Sequence, residues 1–217
     1  MPIDAPISQS SETIGGYNAV ISDIGRALTA ADWVCCRDFL PLQRIAALRR
    51  EAESLRETGA FRAAGIGHYA ERLADVRGDE ILWLDETTEA PEATRLFKHE
   101  FTALRTAINS QTYLGLDEFE GHYAVYPVGA SYARHLDRFR EENLRVVSLV
   151  LYLNEAWETA DGGELCLYDG IEADAPLARI APEAGTLVCF LSERVPHEVM
   201  AARRTRLSLT GWFRRRT

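Results

Sequence analysis

The spacing of apolar positions changes character midway along the chain. In the first half they recur every three to four residues, the period of an amphipathic helix. From Phe119 onward they alternate or gather in short runs, the period of strands. The first pattern predicts helices over Tyr17–Ala30, Pro41–Thr58 and Pro91–Gln111. In the second of these, Leu42, Ile45, Leu48, Ala52 and Leu55 form one stripe; Pro41 suits the first turn and Gly59 the stop. In the third, Phe97, Phe101, Leu104 and Ile108 share a face. Between them Phe61–Val76 is rich in glycine and alanine with little periodicity, and reads as a mobile loop or loose hairpin before a buried strand at Ile81–Leu84.

The second pattern predicts strands at Gly121–Tyr126, Tyr132–Leu136, Val146–Leu153, Glu164–Tyr168, Ala178–Ile180, Thr186–Leu191, His197–Met200 and Arg206–Phe213. Turn residues separate them, as in Pro127-Val128-Gly129, Asp161-Gly162-Gly163, Asp169-Gly170 and Glu183-Ala184-Gly185. Helices first and many short strands afterwards imply an α+β fold: helices packed on a two-sheet jelly roll. Residues 1–16 read as a flexible N-terminus and 17–217 as one domain.

Composition narrows the function classes. The chain has 217 residues, is 47% hydrophobic and 26% charged, and carries a net charge of -9. An acidic balance argues against a nucleic-acid partner. No apolar run is long enough to span a bilayer and the N-terminus lacks a secretory pattern, so a cytoplasmic, membrane-free protein is expected, with a monomer favoured. Cys35, Cys36, Cys166 and Cys189 show no metal-ligand spacing and read as reduced thiols.

The chemistry sits in the strands. His135-Leu136-Asp137 places an imidazole and a carboxylate two apart, and such residues share a strand face. His197, opening a later strand, supplies a third donor. Two histidines and one carboxylate on one side of a metal leave positions open, the facial triad of iron(II) oxygenases. Nine positions after His197 comes Arg206, followed on the same strand face by Ser208, Thr210 and Trp212. A guanidinium fork matches a carboxylate, so Arg206 suits an anionic cosubstrate, while Arg203, Arg204 and Arg214–Arg216 read as surface charges. His68, His99 and His122 have no partner at ligand spacing and are not expected to bind metal.

The sequence resembles the prolyl 4-hydroxylase superfamily of 2-oxoglutarate oxygenases, through HLD at 135–137 and PHEVMAARRTRLSLTGWF at 196–213. More narrowly it resembles the HIF-type (Egl-nine or SM-20-like) prolyl hydroxylases and their bacterial relatives, through VRGDEILWL, YAVYPVGASYARHLD, VVSLVLYLNEAW, DGGELCLYD and GTLVCFLSERVPHEV. The resemblance implies a double-stranded β-helix over 119–214, with helical support at 17–118 and a substrate-covering loop at 61–77. It implies iron(II) on His135, Asp137 and His197, and the 2-oxoglutarate C5 carboxylate on Arg206 and Tyr152. Tyr126 would line the cosubstrate pocket, Trp212 would wall the iron site, and Asp79 and Arg145 would stand near the substrate entrance. Ser208 stands where the family has a small apolar residue and could add a hydrogen bond to the cosubstrate. O2 is the oxidant, and ascorbate a candidate accessory.

The expected reaction is 4-hydroxylation of a prolyl residue in an intracellular protein or peptide, with succinate and CO2 as co-products. Two alternatives stay open: the same chemistry on another side chain or a small molecule, and a jelly roll that binds metal or 2-oxoglutarate as a sensor without turnover. The entrance segments depart from the animal enzymes, notably the charged stretch RFREENL at 138–144.

Overall fold

The computed structural model describes residues 6–7, 14–65, 76–84, 91–137 and 144–216. In chain order its strands are β1 (Pro6–Ile7), β2 (Trp33–Cys36), β3 (Arg62–Ala63), β4 (Glu80–Trp83), β5 (Glu118–Tyr126), β6 (Tyr132–His135), β7 (Arg145–Tyr152), β8 (Leu165–Leu167), β9 (Ala178–Ile180), β10 (Leu187–Leu191), β11 (His197–Val199) and β12 (Arg206–Arg214). Its helices are α1 (Ile14–Ala31), α2 (Leu42–Glu57) and α3 (Glu92–Thr112).

Eight strands form a major sheet in the order β1-β2-β10-β7-β12-β5-β4-β3, and four form a minor sheet in the order β6-β11-β8-β9. The two sheets make the jelly roll. Alternation along each strand divides the major sheet into two faces. One face carries Tyr123, Val125, Leu149, Leu151, Leu207, Leu209 and Phe213, which pack with Ile45, Leu48 and Ala52 of α2 and Phe97, Phe101, Leu104 and Ile108 of α3. The other carries Tyr126, Val150, Tyr152, Val188 and Phe190, which cluster with Leu165, Leu167 and Val199 of the minor sheet.

The helices and strands read from periodicity are present within a few residues of their expected bounds. Three details differ. Leu42, placed on the α2 stripe, is 62% exposed, because it stands at the first position of the helix. Trp33–Cys36, a four-residue apolar run with no strand expected, pairs antiparallel with β10. Within the stretch read as a frayed N-terminus, Pro6–Ile7 pairs in parallel with Cys35–Cys36. Of the expected loop 61–77, Arg62–Ala63 pairs with Glu80–Ile81; residues 66–75 lie outside the described residues. No described helix is long and apolar enough to cross a membrane.

A carboxylate joins the two core-covering helices. Glu51 of α2 accepts from the backbone N–H groups of Ala93 and Thr94 at 3.1 and 3.3 Å, in the first turn of α3. It also accepts from the Thr94 hydroxyl, and from Tyr123 of β5 at 3.0 Å. An anion at a helix N-terminus satisfies orphan donors and complements the dipole. Replacing Glu51 with Ala should cost on the order of 2–3 kcal/mol, the range for charge-assisted hydrogen bonds lost from a partly buried site. The check is a lowered urea midpoint at constant slope; an unchanged midpoint would show that the carboxylate does not cap α3.

Candidate active site

β6 ends on His135 and β11 begins on His197, and the two stand opposite each other in the antiparallel ladder. Directly paired residues point to one face, and the two rings lie 4.2 Å apart between centroids. Asp137 follows β6 in a bend, so its position does not come from the strand pleat that the H-x-D spacing suggested. Its Oδ1 lies 3.6 Å from His135 Nε2 and its Oδ2 lies 3.7 Å from His197 Nε2. Ser148 of β7 reaches across from the major sheet and donates to Oδ2 at 2.6 Å.

Each imidazole is oriented by a backbone carbonyl. His135 Nδ1 is 2.8 Å from the oxygen of Ala133, and His197 Nδ1 is 3.2 Å from that of Val195. A carbonyl only accepts, so Nδ1 carries the hydrogen and Nε2 turns its lone pair toward the shared space. Burial, with His135 alongside, pulls the His197 pKa down to about 4, which keeps the ring neutral at neutral pH. Burial works against the Asp137 carboxylate, but His197, His135 and the Ser148 hydroxyl together hold its pKa well below the usual range. One ligand atom from each of His135, Asp137 and His197 lies within 4.8 Å of the others, and no other such group occurs among the described residues. Two imidazoles and one carboxylate on one side suit a divalent iron that keeps positions open.

β12 carries the second half of the site. Arg206, Ser208, Thr210 and Trp212 alternate along it onto the inner face. Arg206 is 2% exposed. Its Nε donates to the carbonyl of Gly163 at 3.0 Å, and its guanidinium carbon stands 5.1 and 4.9 Å from the ring centres of Tyr126 and Tyr152. No described carboxylate pairs with it. A buried cation without a counter-ion is costly, and an incoming anion removes that cost. Gly163 has a φ of +74°, and a Cβ there would lie 2.8 Å from that of Ala202 and 3.4 Å from Arg206 Cδ. Glycine therefore lets this backbone approach the arginine.

Two buried polar atoms on this side of the sheet meet no acceptor of the described residues. Tyr152 Oη and Trp212 Nε1 are buried with no hydrogen bond among the described residues. Burial pushes the Tyr152 pKa up to about 12, partly offset by Arg206, so the phenol stays a donor. Ser208 Oγ and Thr210 Oγ1 lie 3.3 Å apart beside them. An orphaned phenol, two hydroxyls and an unpaired guanidinium fit an acceptor-rich dicarboxylate such as 2-oxoglutarate.

The surroundings are aromatic. Tyr132 stacks on His135 at 3.7 Å with rings 17° apart, and Phe190 packs against His197 at 4.6 Å. Arg77 lies 4.9 Å from the Tyr132 ring centre and forks onto Asp79 at 2.7 and 3.0 Å. Asp79 is thus turned onto Arg77 and is 2% exposed. Arg145 lies 3.5 Å over the Trp212 ring and pairs with Glu120. His122 packs between Trp83 and Trp212, where burial pulls its pKa down to about 4. His99 is exposed, and His68 lies outside the described residues.

Sequence reasoning missed Ser148, Ser192, Gly163, Tyr132 and Arg77 as parts of the site. The two serines did leave a signal, each being a lone hydroxyl beside apolar runs, in VVSLVLY and CFLS.

Residues 121–214 match the family model of the 2OG-Fe(II) oxygenase superfamily. A Pseudomonas putida prolyl-4-hydroxylase is 43% identical with a TM-score of 0.81, covering 91% of this chain and 100% of that one. A Trichoplax adhaerens prolyl hydroxylase, solved with a hypoxia inducible factor peptide fragment, shares the fold at a TM-score of 0.84 and 23% identity, over 95% of this chain and 94% of that one. Human Egl nine homolog 1 is 30% identical over 184 residues, 81% of this chain and 42% of the relative. The chain therefore spans less than half the length of that curated relative. With a two-histidine, one-carboxylate cluster, a buried arginine beyond it, and full coverage of the Pseudomonas relative, this chain belongs to the 2-oxoglutarate- and iron(II)-dependent oxygenase superfamily, within its prolyl hydroxylase group.

Proposed function

We propose that this chain is an iron(II)- and 2-oxoglutarate-dependent dioxygenase that 4-hydroxylates a prolyl residue of a cytoplasmic protein. The observation that carries the reading is the presence of two unlike receptors beside one inner cluster, in which Phe190 packs on His197 and Tyr126 and Tyr152 flank Arg206. The His135–Asp137–His197 cluster suits a divalent cation, and buried Arg206, without a described counter-ion, suits a carboxylate. A cosubstrate with a metal-chelating end and a carboxylate tail satisfies both.

In this reading His135, Asp137 and His197 hold iron, and Arg206 with Tyr152 holds the C5 carboxylate. Tyr126, Ser208 and Thr210 line the pocket between them, and Trp212 walls the metal side. Bound iron with 2-oxoglutarate and O2 supplies the oxidising power for C–H hydroxylation, with succinate and CO2 as co-products. The chain's own residues orient and exclude water. Carbonyls of Ala133 and Val195 fix the two imidazoles, Gly163 fixes Arg206, and the stacked Tyr132 and the tilted Phe190 cover the flanks of the histidines. The Arg77–Asp79 pair and Arg145 are assigned to the substrate side, and ascorbate to an accessory role as reductant. Similarity to the Pseudomonas putida prolyl-4-hydroxylase supports the prolyl substrate.

Three measurements test the reading. Adding iron(II) and then 2-oxoglutarate without oxygen should give a weak visible charge-transfer band. In Arg206→Ala the cosubstrate concentration needed for that band should rise on the order of 100-fold, since a charge-assisted fork worth about 3 kcal/mol is lost. No band in folded, metal-loaded wild type would remove the oxygenase reading. Both His135→Ala and Asp137→Ala should abolish succinate formation, and full turnover in the two variants would refute the ligand assignment. Mass spectrometry of a peptide panel should find one added oxygen on proline; oxygen added to another residue, or to a small molecule only, would replace the prolyl assignment.

A further inference from the structure

We infer that Ser148 and Ser192 form a hydrogen-bond relay that fixes how Asp137 grips the metal, and that both are positioning residues of this site. The inference rests on the proposed metal-binding role of Asp137. Ser148 is 1% exposed and Ser192 is 0% exposed. Both sit among apolar neighbours: Val146, Val147, Leu149 and Val150 around the first, Phe190 and Leu191 before the second. A buried hydroxyl in such a setting costs stability unless it is hydrogen-bonded. Here the two hydroxyls are 2.9 Å apart, and Ser148 Oγ is 2.6 Å from Asp137 Oδ2.

The direction of the relay follows from donor counting. A carboxylate that ligates a cation offers lone pairs only, so Ser148 donates to Oδ2. Its own lone pair then receives the Ser192 proton. Each bond polarises the next, which strengthens the contact at the carboxylate.

The relay spans the jelly roll at the metal. Asp137 follows β6 of the minor sheet, Ser148 belongs to β7, and Ser192 follows β10 of the major sheet. Ser192 is itself fixed by its backbone N–H, which donates to Val146 at 3.0 Å. Ladder pairing of β6 stops at His135, so the carboxylate beyond it depends on side-chain bonds for its rotation. With Ser148 holding Oδ2, the carboxylate is set in rotation, with Oδ1 3.6 Å from His135 Nε2 and Oδ2 3.7 Å from His197 Nε2. Without the relay the carboxylate loses this restraint on its rotation, and the affinity for metal falls.

The test uses Co(II) binding to the metal-free full chain, read by visible absorption with no cosubstrate present. Ser148→Ala should bind Co(II) about 10–100-fold more weakly, the usual cost of losing a partner of a metal ligand. Ser192→Ala should show a smaller loss in the same direction, and the double variant should be no weaker than Ser148→Ala. Ser148→Thr, which keeps the donor on a strand-compatible side chain, should restore most of the affinity. Wild-type Co(II) affinity in Ser148→Ala, with only the thermal midpoint lowered, would reduce the serines to packing and overturn the inference. If Ser148→Ala does not fold, Ser192→Ala decides, since it leaves the direct donor in place; unchanged affinity and spectrum there would overturn the relay. A wild-type chain that takes up no Co(II) would overturn the proposed metal site along with it. A wild type that binds, with all variants its equal, would overturn the relay alone.

Discussion

The antiparallel pairing of His135 with His197 is the constraint on which the rest of the site depends. A ladder leaves paired residues no choice of face, so one register brings both imidazoles to the same point. A slip of one residue in either strand would send one ring to the opposite face. The minor sheet is held in that register by β8, whose Leu165–Leu167 pairs with all three residues of β11, and by the apolar cluster it shares with the major sheet. Metal chemistry here is a consequence of strand register, and strand register is a consequence of apolar burial.

The pocket is built on contrast between its two ends. At the metal end, two imidazoles with Nδ1 tied to backbone carbonyls and a carboxylate tied to Ser148 present electron pairs. At the far end, Arg206 and the phenol of Tyr152 present hydrogens, with no carboxylate among the described residues to answer them. Folding a guanidinium into this position is unfavourable by itself, so the surrounding structure must hold it. The Gly163 carbonyl and the faces of Tyr126 and Tyr152 do so. Together the two ends select a molecule with acceptors at both termini.

The helices serve this arrangement from behind. They cover only the face of the major sheet that points away from the site, and Glu51 ties α2 to α3 and to Tyr123 of β5. Phe119 lies across the paired Gly121 and Gly211, where a Cβ at Gly211 would come within 2.6 Å of its ring. Those two glycines let the Phe119 ring lie on the sheet backbone, where Phe97, Phe101 and Phe213 pack against it. A rigid sheet results, with one face given to packing and the other to chemistry.

The sequence by itself determined the elements and the chemical inventory. Period-two alternation from Phe119 onward located the jelly-roll strands, and the three-to-four spacing located α2 and α3, because both patterns record burial along one local axis. The donors His135, Asp137 and His197, and Arg206 with its strand-mates, were legible from spacing and from resemblance. Leu42 was misplaced because periodicity does not register that a helix's first turn can project past the core. Trp33–Cys36 was missed because four apolar residues carry too short a period to name a strand, and its partner β10 lies far along the chain. Only the tertiary structure decided that Asp137 is set by Ser148 from the opposite sheet, that Gly163 orients Arg206, and that Asp79 is turned inward onto Arg77. The physical reason is the same in each case: these are hydrogen bonds between segments distant or irregular in sequence, and no local periodicity encodes which donor will meet which acceptor.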